Sequence, residues 1–345
     1  QLHRFCKVFL AALTPAIRHN ARLSLPYGAA MPLLTTCPQR ACDRLNAGEL
    51  LALPTETVYG LAANARDDQA VAKVFALKGR PASNPLIVHL ACAEQVQEWA
   101  REIPDAARRL MDAFWPGPLT LVLPAHAHVS RSITAGQDSV ALRVPAHPLA
   151  LEVLRRFGGG LVAPSANRYM SISPTCAGHV TQQFAESDLL ILDGGASAVG
   201  LESTIVSLLE NDPPRLLREG MLSATQIEAV LGAPLLHGAG SVLRVPGQHR
   251  KHYAPATPSW RFTRTPEEAL QDPQCSWLWC GTGPASAGPA ISLSHEPQAY
   301  AQGLYAALYQ LDNLGLQRLL IQLPADTPDW AAVHDRLARA SRLLG

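Results

Sequence analysis

Pro54-Thr-Glu-Thr-Val-Tyr-Gly60 follows the apolar run Leu50 to Leu53, and further on comes Lys78-Gly-Arg-Pro81 with Asn84-Pro-Leu-Ile-Val-His89. Hydroxyls and a glycine at the end of a strand, then two cations at fixed spacing in a proline-braced loop, supply the donors and charge that a phosphate-rich ligand needs. A nucleotide is the first ligand to consider.

Outward from this pair, apolar runs alternate with helical periodicity in the manner of an α/β domain. Strands are predicted at 50–54, 86–90, 119–123, 140–144, 161–163, 189–192 and 204–208. Helices are predicted at 68–78, 93–101, 104–115, 148–157 and 223–231, the last with Ser223 as its N-cap. From Gly232 to Pro258 glycine, proline, histidine and basic residues dominate, including Val245-Pro-Gly-Gln-His-Arg-Lys-His-Tyr-Ala-Pro255, and the stretch reads as a linker. Strands at 276–280, 291–294 and 319–323 with helices at 297–314 and 330–343 make a second, smaller α/β unit. Gly281-Thr-Gly283 lacks the third glycine of a dinucleotide loop, and no G-x-x-x-x-G-K-[ST] or G-x-S-x-G run occurs, which argues against P-loop and α/β-hydrolase chemistry.

At 345 residues the chain is long enough for two domains, and 48% apolar with 17% charged residues fits a globular protein. A formal charge of +1 makes a poor general nucleic-acid binder, although a local basic cleft is compatible with it. Arg4, Lys7, Arg18, Arg22 and Arg40 precede the first acid, Asp43, leaving 24 basic against 28 acidic residues in the remainder. Residues 1–35 read as an extension outside the core. No apolar run approaches the roughly 18 residues of a membrane span. Seven scattered cysteines without a C-x-x-C pair suit a reducing cytoplasm, and His249-Arg-Lys-His252, with no carboxylate or thiolate beside it, does not read as a metal site.

The remaining polar clusters lie at strand ends or in adjoining loops, where open α/β sheets form ligand clefts. Together with Phe114-Trp-Pro-Gly-Pro-Leu-Thr120, Arg143-Val-Pro145, Ala163-Pro-Ser-Ala-Asn167, Gly200-Leu-Glu-Ser-Thr-Ile205, Leu217-Arg-Glu-Gly220 and His252-Tyr-Ala-Pro255, the motifs above resemble the threonylcarbamoyl-AMP synthase family, the two-domain YrdC-like enzymes of transfer-RNA modification. The resemblance runs from about residue 36 to the C-terminus. It implies an α/β fold with a twisted, open, mixed YrdC-like sheet over residues 36–235, a linker and lid over 236–256, and a smaller Rossmann-like α/β domain over 257–345.

The resemblance also implies the chemistry: L-threonine, bicarbonate or carbon dioxide, and ATP become L-threonylcarbamoyl-AMP and pyrophosphate. A transferase complex then carries the threonylcarbamoyl group to the adenosine beside the anticodon of transfer RNA. By this likeness Lys78, Arg80, Asn84, Ser139, Ser165, Ser173, Arg218 and Tyr253 hold ATP, and Thr57, His89, Arg143, Ala163 and Ser203 hold L-threonine. Mg2+ is expected to arrive with ATP, held by phosphates and water without protein ligands. No general base is assigned. Two other readings stand beside this one: a YrdC-like module that binds RNA through residues 244–251 without catalysis, and a carbamoyl-transfer role as in hydrogenase maturation, against which the missing C-x-x-C modules weigh.

Overall fold

In the computed structural model, residues 31–210, 212–238, 243–247 and 252–344 are described. Residues 1–30 and His249 lie outside them. Strands β2 (Leu51–Leu53) and β3 (Gly60–Asn64) run antiparallel, so the hydroxyl-rich motif is the turn between them. β2 is fully buried and β3 nearly so, which is why neither alternates apolar with polar residues: helices cover both faces of the sheet.

β1 (Leu33–Thr35) is the edge of this sheet and pairs in parallel with β8 (Leu190–Leu192), so the sheet begins within the stretch expected to be an extension, although Leu33 and Leu34 are exposed. The other strands are β4 (Ile87–His89), β5 (Leu119–Pro124), β6 (Ser139–Arg143), β7 (Leu161–Val162), β9 (Thr204–Ser207), β10 (Arg215–Arg218) and β11 (Leu236–His237). Their order is β1-β8-β2-β3-β7-β4-β6-β5-β9-β10-β11, with parallel and antiparallel neighbours mixed.

α1 (Pro38–Asn46) sets Ala41, Cys42 and Leu45 against one face of the sheet, alongside helix Pro148–Phe157. On the other face lie α2 (Asp68–Lys78), α3 (Asp105–Phe114) and helix Ala224–Leu231. α2 has clear punctuation: the Asp67 side chain accepts the Gln69 and Ala70 N–H groups, and Gly79 closes the helix at φ 65°, where a Cβ would be strained. Lys78 is therefore delivered on the last turn and Arg80 just beyond it. Ser223 caps its helix, as the sequence predicts, and the structure adds a reciprocal box with Gln226. The helix expected at 93–101 is a 3-10 helix over Ala93–Glu98.

The second unit is a five-stranded, all-parallel sheet in the order β14-β13-β15-β12-β16, from β12 (Ser259–Phe262), β13 (Cys275–Cys280), β14 (Ala290–Leu293), β15 (Arg318–Gln322) and β16 (Arg342–Leu343). Helices Pro297–Asp312 and Ala331–Ala340 cover one face; Phe262, Trp277 and Trp279 pack on the other. The helix predicted to run to residue 343 stops at Ala340, where the chain turns into β16. Helix Pro297–Asp312 also packs against Val58, Ile172 and Leu201 of the first unit, so the two sheets share a core. Gly200, at φ 82°, makes that approach possible: a Cβ there would lie 2.6 Å from both the Ala301 carbonyl and the Gln302 Cα. Among the described residues no helix is long and apolar enough to cross a membrane.

Candidate functional site

β4 and β6 run parallel in a register that sets His89 beside Arg143 at their carboxyl ends. Arg143 is buried and held by three different acceptors: Nε donates to the Gly117 carbonyl (3.2 Å), Nη1 to Thr57 Oγ1 (2.9 Å) and Nη2 to Glu56 Oε1 (2.6 Å). The Phe114–Thr120 motif thus has a purpose beyond packing, since it presents the Gly117 carbonyl. Thr55 donates its hydroxyl to the Val58 carbonyl, so in the Thr55–Thr57 contact of 2.9 Å the proton comes from Thr57. With Arg143 donating to it and its own proton spent on Thr55, Thr57 keeps only acceptor capacity for a ligand.

A second group consists of buried cations. Lys78 Nζ donates to the carbonyls of Ser165 and Asn167 (2.6 Å to the latter). Arg80 donates to the Pro85 carbonyl at 3.0 Å, and its Nε is buried without a partner. Arg218 binds the Ser203 carbonyl (3.0 Å), the Ser203 hydroxyl (3.1 Å) and the Pro246 carbonyl (3.2 Å). Among the described residues no carboxylate pairs with any of the three; the ion pairs beside the cleft are Arg143 with Glu56 and Arg336 with Glu202. Burial, then the neighbouring Arg80 charge, pushes the Lys78 ammonium well below its ordinary pKa, and burial brings Arg80 to about 10. An unpaired buried cation is costly, and two in the cleft wall, Arg80 and Arg218, with Lys78 standing off it, favour an anion there.

The linker closes the circle. Pro246, Gly247, His252 and Tyr253 line the same cleft as Arg80, Arg143 and Arg218. Tyr253 sits at φ 57°, an unfavourable conformation for a non-glycine residue, and is held there by packing: its ring lies under the Arg336 guanidinium (5.1 Å), against His252 (4.0 Å) and near Tyr305 (6.0 Å). Glu202 anchors this corner. It accepts from Ser173 (2.5 Å), Tyr305 (3.0 Å) and Arg336 Nε (2.8 Å). Burial raises the Glu202 pKa, but Arg336 and Arg218 outweigh it and hold the carboxyl at about 2. His89 and His252 are each depressed to about 3, mainly by burial, so both are neutral imidazoles, each with an unpartnered Nδ1.

Two family models match the chain: one described as "Telomere recombination" over residues 43–220, and one described as "Threonylcarbamoyl-AMP synthase, C-terminal domain" over residues 222–342. The threonylcarbamoyl-AMP synthase of Pyrococcus abyssi is 40% identical over 316 residues, covering 87% of this chain and 93% of that one. The chain belongs to the threonylcarbamoyl-AMP synthase family. The Bacillus subtilis threonylcarbamoyl-AMP synthase is 38% identical over 329 residues, covering 90% and 94% of the two chains. Among solved structures, that of P. abyssi Sua5 complexed with L-threonine matches with a TM-score of 0.82 and 35% identity over 92% of this chain and 99% of that one. The mixed YrdC-like sheet followed by a smaller parallel sheet is thus the family's fold.

Nine of the thirteen residues singled out from sequence line the cleft: Thr57, Arg80, His89, Arg143, Ala163, Ser165, Ser203, Arg218 and Tyr253. The other four stand off its wall. Lys78 is turned onto the Ser165 and Asn167 carbonyls, Asn84 donates to the Tyr169 hydroxyl at 3.2 Å, and Ser173 holds Glu202. Ser139 is buried at the far end of β6, four residues and about 13 Å of strand from Arg143. Sequence reading missed Arg336 and Tyr305, which arrive from the C-terminal helices, and Pro246 and Gly247. Of the basic stretch weighed as an RNA contact, Arg244 is described and donates to the Ala135 carbonyl; residues 248–251 lie outside the described set.

Proposed function

We propose that this protein is an L-threonylcarbamoyladenylate synthase, a nucleotidyltransferase that makes L-threonylcarbamoyl-AMP and pyrophosphate from L-threonine, bicarbonate or carbon dioxide, and ATP. The observation that carries this reading is one cleft whose wall sets buried arginines without carboxylate partners, Arg80 and Arg218, beside Arg143, the Thr57 and Ser203 hydroxyls and the neutral His89. Arg143 receives the α-carboxylate of threonine in a forked contact. Thr57, able only to accept, takes an N–H or O–H from the same substrate, with His89, the Ala163 backbone and Ser203 enclosing it. Arg80, Arg218, Ser165 and Tyr253 take the nucleotide, Lys78 exchanges its carbonyl partners for phosphate oxygens, and Asn84, Ser139 and Ser173 support the surrounding loops.

Carboxylation of the threonine amine gives a carbamate. One carbamate oxygen attacks the α-phosphorus, a P–O bond forms as the bond to the bridging oxygen breaks, and the electron pair leaves on pyrophosphate. The protein's contribution is alignment and charge neutralisation, with no covalent nucleophile. ATP enters as its magnesium salt, the metal carried by phosphates and water; Glu56 and Glu202 are each held by an arginine, and no metal-binding cluster occurs among the described residues. The product is passed in the cytoplasm to the complex that modifies transfer RNA.

The test is pyrophosphate release from ATP by the purified protein. Release should require both L-threonine and bicarbonate, and should fall when serine replaces threonine. Release independent of threonine, or none while transfer RNA binds with a steep salt dependence, would favour the RNA-binding reading.

A further inference from the structure

Glu56 is the acidic residue of the Pro54–Gly60 turn, and the reaction above makes no use of it. Its Oε1 lies 2.6 Å from Arg143 Nη2, with side-chain exposures of 10% and 4%. Its Oε2 is buried without a partner. Its backbone carbonyl accepts the Val199 N–H at 2.7 Å, which ties the turn to the loop after β8. Arg143 and Thr57 line the cleft and Glu56 does not, so the carboxylate stands behind the guanidinium.

We propose that Glu56 is a positioning residue for threonine recognition, acting through Arg143; this rests on reading Arg143 as the partner of the threonine α-carboxylate. A guanidinium has five N–H donors in one plane. Gly117, Thr57 and Glu56 take one each, from three directions, and together fix both the position of the group and its rotation in that plane. The two remaining donors, one on each Nη, are left for a ligand, and a forked carboxylate contact demands that their direction be fixed. Without Glu56, Nη2 loses its acceptor and the plane can turn, leaving a single-bond contact in place of the fork. The carboxylate also balances the Arg143 charge while the site is empty, a partner that Arg80 and Arg218 lack.

Steady-state kinetics on Glu56→Ala, Glu56→Gln, Glu56→Asp and Arg143→Lys test this. In Glu56→Ala the KM for L-threonine should rise at least tenfold while that for ATP stays within twofold. Glu56→Gln keeps the acceptor at the right reach and should recover most of the loss. Glu56→Asp keeps the charge but falls short of Nη2 and should recover less, a comparison that stands even where the alanine variant fails to fold. Aspartate outperforming glutamine, the two KM values rising together, or an unchanged threonine KM in Glu56→Ala while Arg143→Lys raises it would each overturn the positioning role. An unchanged threonine KM in Arg143→Lys would instead overturn the assignment of Arg143.

Discussion

Arg80 and Arg218 are buried guanidiniums whose hydrogen-bond partners are carbonyl and hydroxyl oxygens, an arrangement that carries an electrostatic cost which a bound anion would offset. Exchanging such a cation for an apolar side chain of similar length should remove that cost and destroy the binding. Arg80→Met is therefore expected to leave the Tm of the ligand-free protein unchanged or higher while raising the ATP KM at least tenfold; a Tm fall of several degrees with unchanged ATP KM would make the arginine structural. The buried histidines give a second expectation. His89 and His252 have folded pKa values of about 3, below the unfolded value of about 6.5, so the unfolded chain binds protons that the folded chain refuses. Their stabilisation is complete above 6.5 and is lost as pH falls toward 3, by roughly 1 kcal/mol per pH unit for each imidazole. Glu202, held at about 2, adds its own loss only below its ordinary value of 4.5. The urea midpoint should drop between pH 7.5 and pH 5, and drop less in His89→Gln; a flat profile would contradict the burial of these rings as neutral species.

Elements differ in how plainly the sequence announces them. α2 and helix Pro148–Phe157 are legible to the residue because Asp67, Pro148, Gly79 and Gly158 mark their ends chemically. β3 escapes because Gly60-Leu-Ala-Ala-Asn64 contains no β-branched or aromatic residue; its strand state comes from neighbours on both sides. Most of the cleft was legible because its side chains come from fixed-spacing motifs in short connections. Arg336 and Tyr305 were not: on a helix of mixed polarity each looks like an ordinary surface or core residue, and only the docking of one unit on the other brings them to Glu202. The linker shows the same dependence, since Tyr253 holds its left-handed backbone while packed against Arg336, His252 and Tyr305. Tyr253→Ala should raise the ATP KM at least fivefold and slow turnover; unchanged values for both would exclude the linker from nucleotide binding.

Over the whole molecule, the shared core and the Glu202 junction join what would otherwise be two separate α/β units. Val58, Ile172 and Leu201 pack among Tyr300, Leu304 and Leu308, and the Arg336 guanidinium reaches both the Glu202 carboxylate and the Glu219 carbonyl (2.9 Å). A junction that buries charge and apolar surface together couples the stabilities of the two sides. Calorimetry on residues 31–345 should show one cooperative transition, with a second peak appearing in Arg336→Leu; two peaks in the parent protein would mean that the interface contributes little. The carbonyl-lined cations have one more consequence, for the end of the catalytic cycle. A site that is positive at rest attracts a departing pyrophosphate as well as an arriving triphosphate, so under the proposed reaction pyrophosphate is expected to inhibit competitively against ATP. On the proposed adenylation, adding a pyrophosphatase to the assay is expected to raise the steady-state rate.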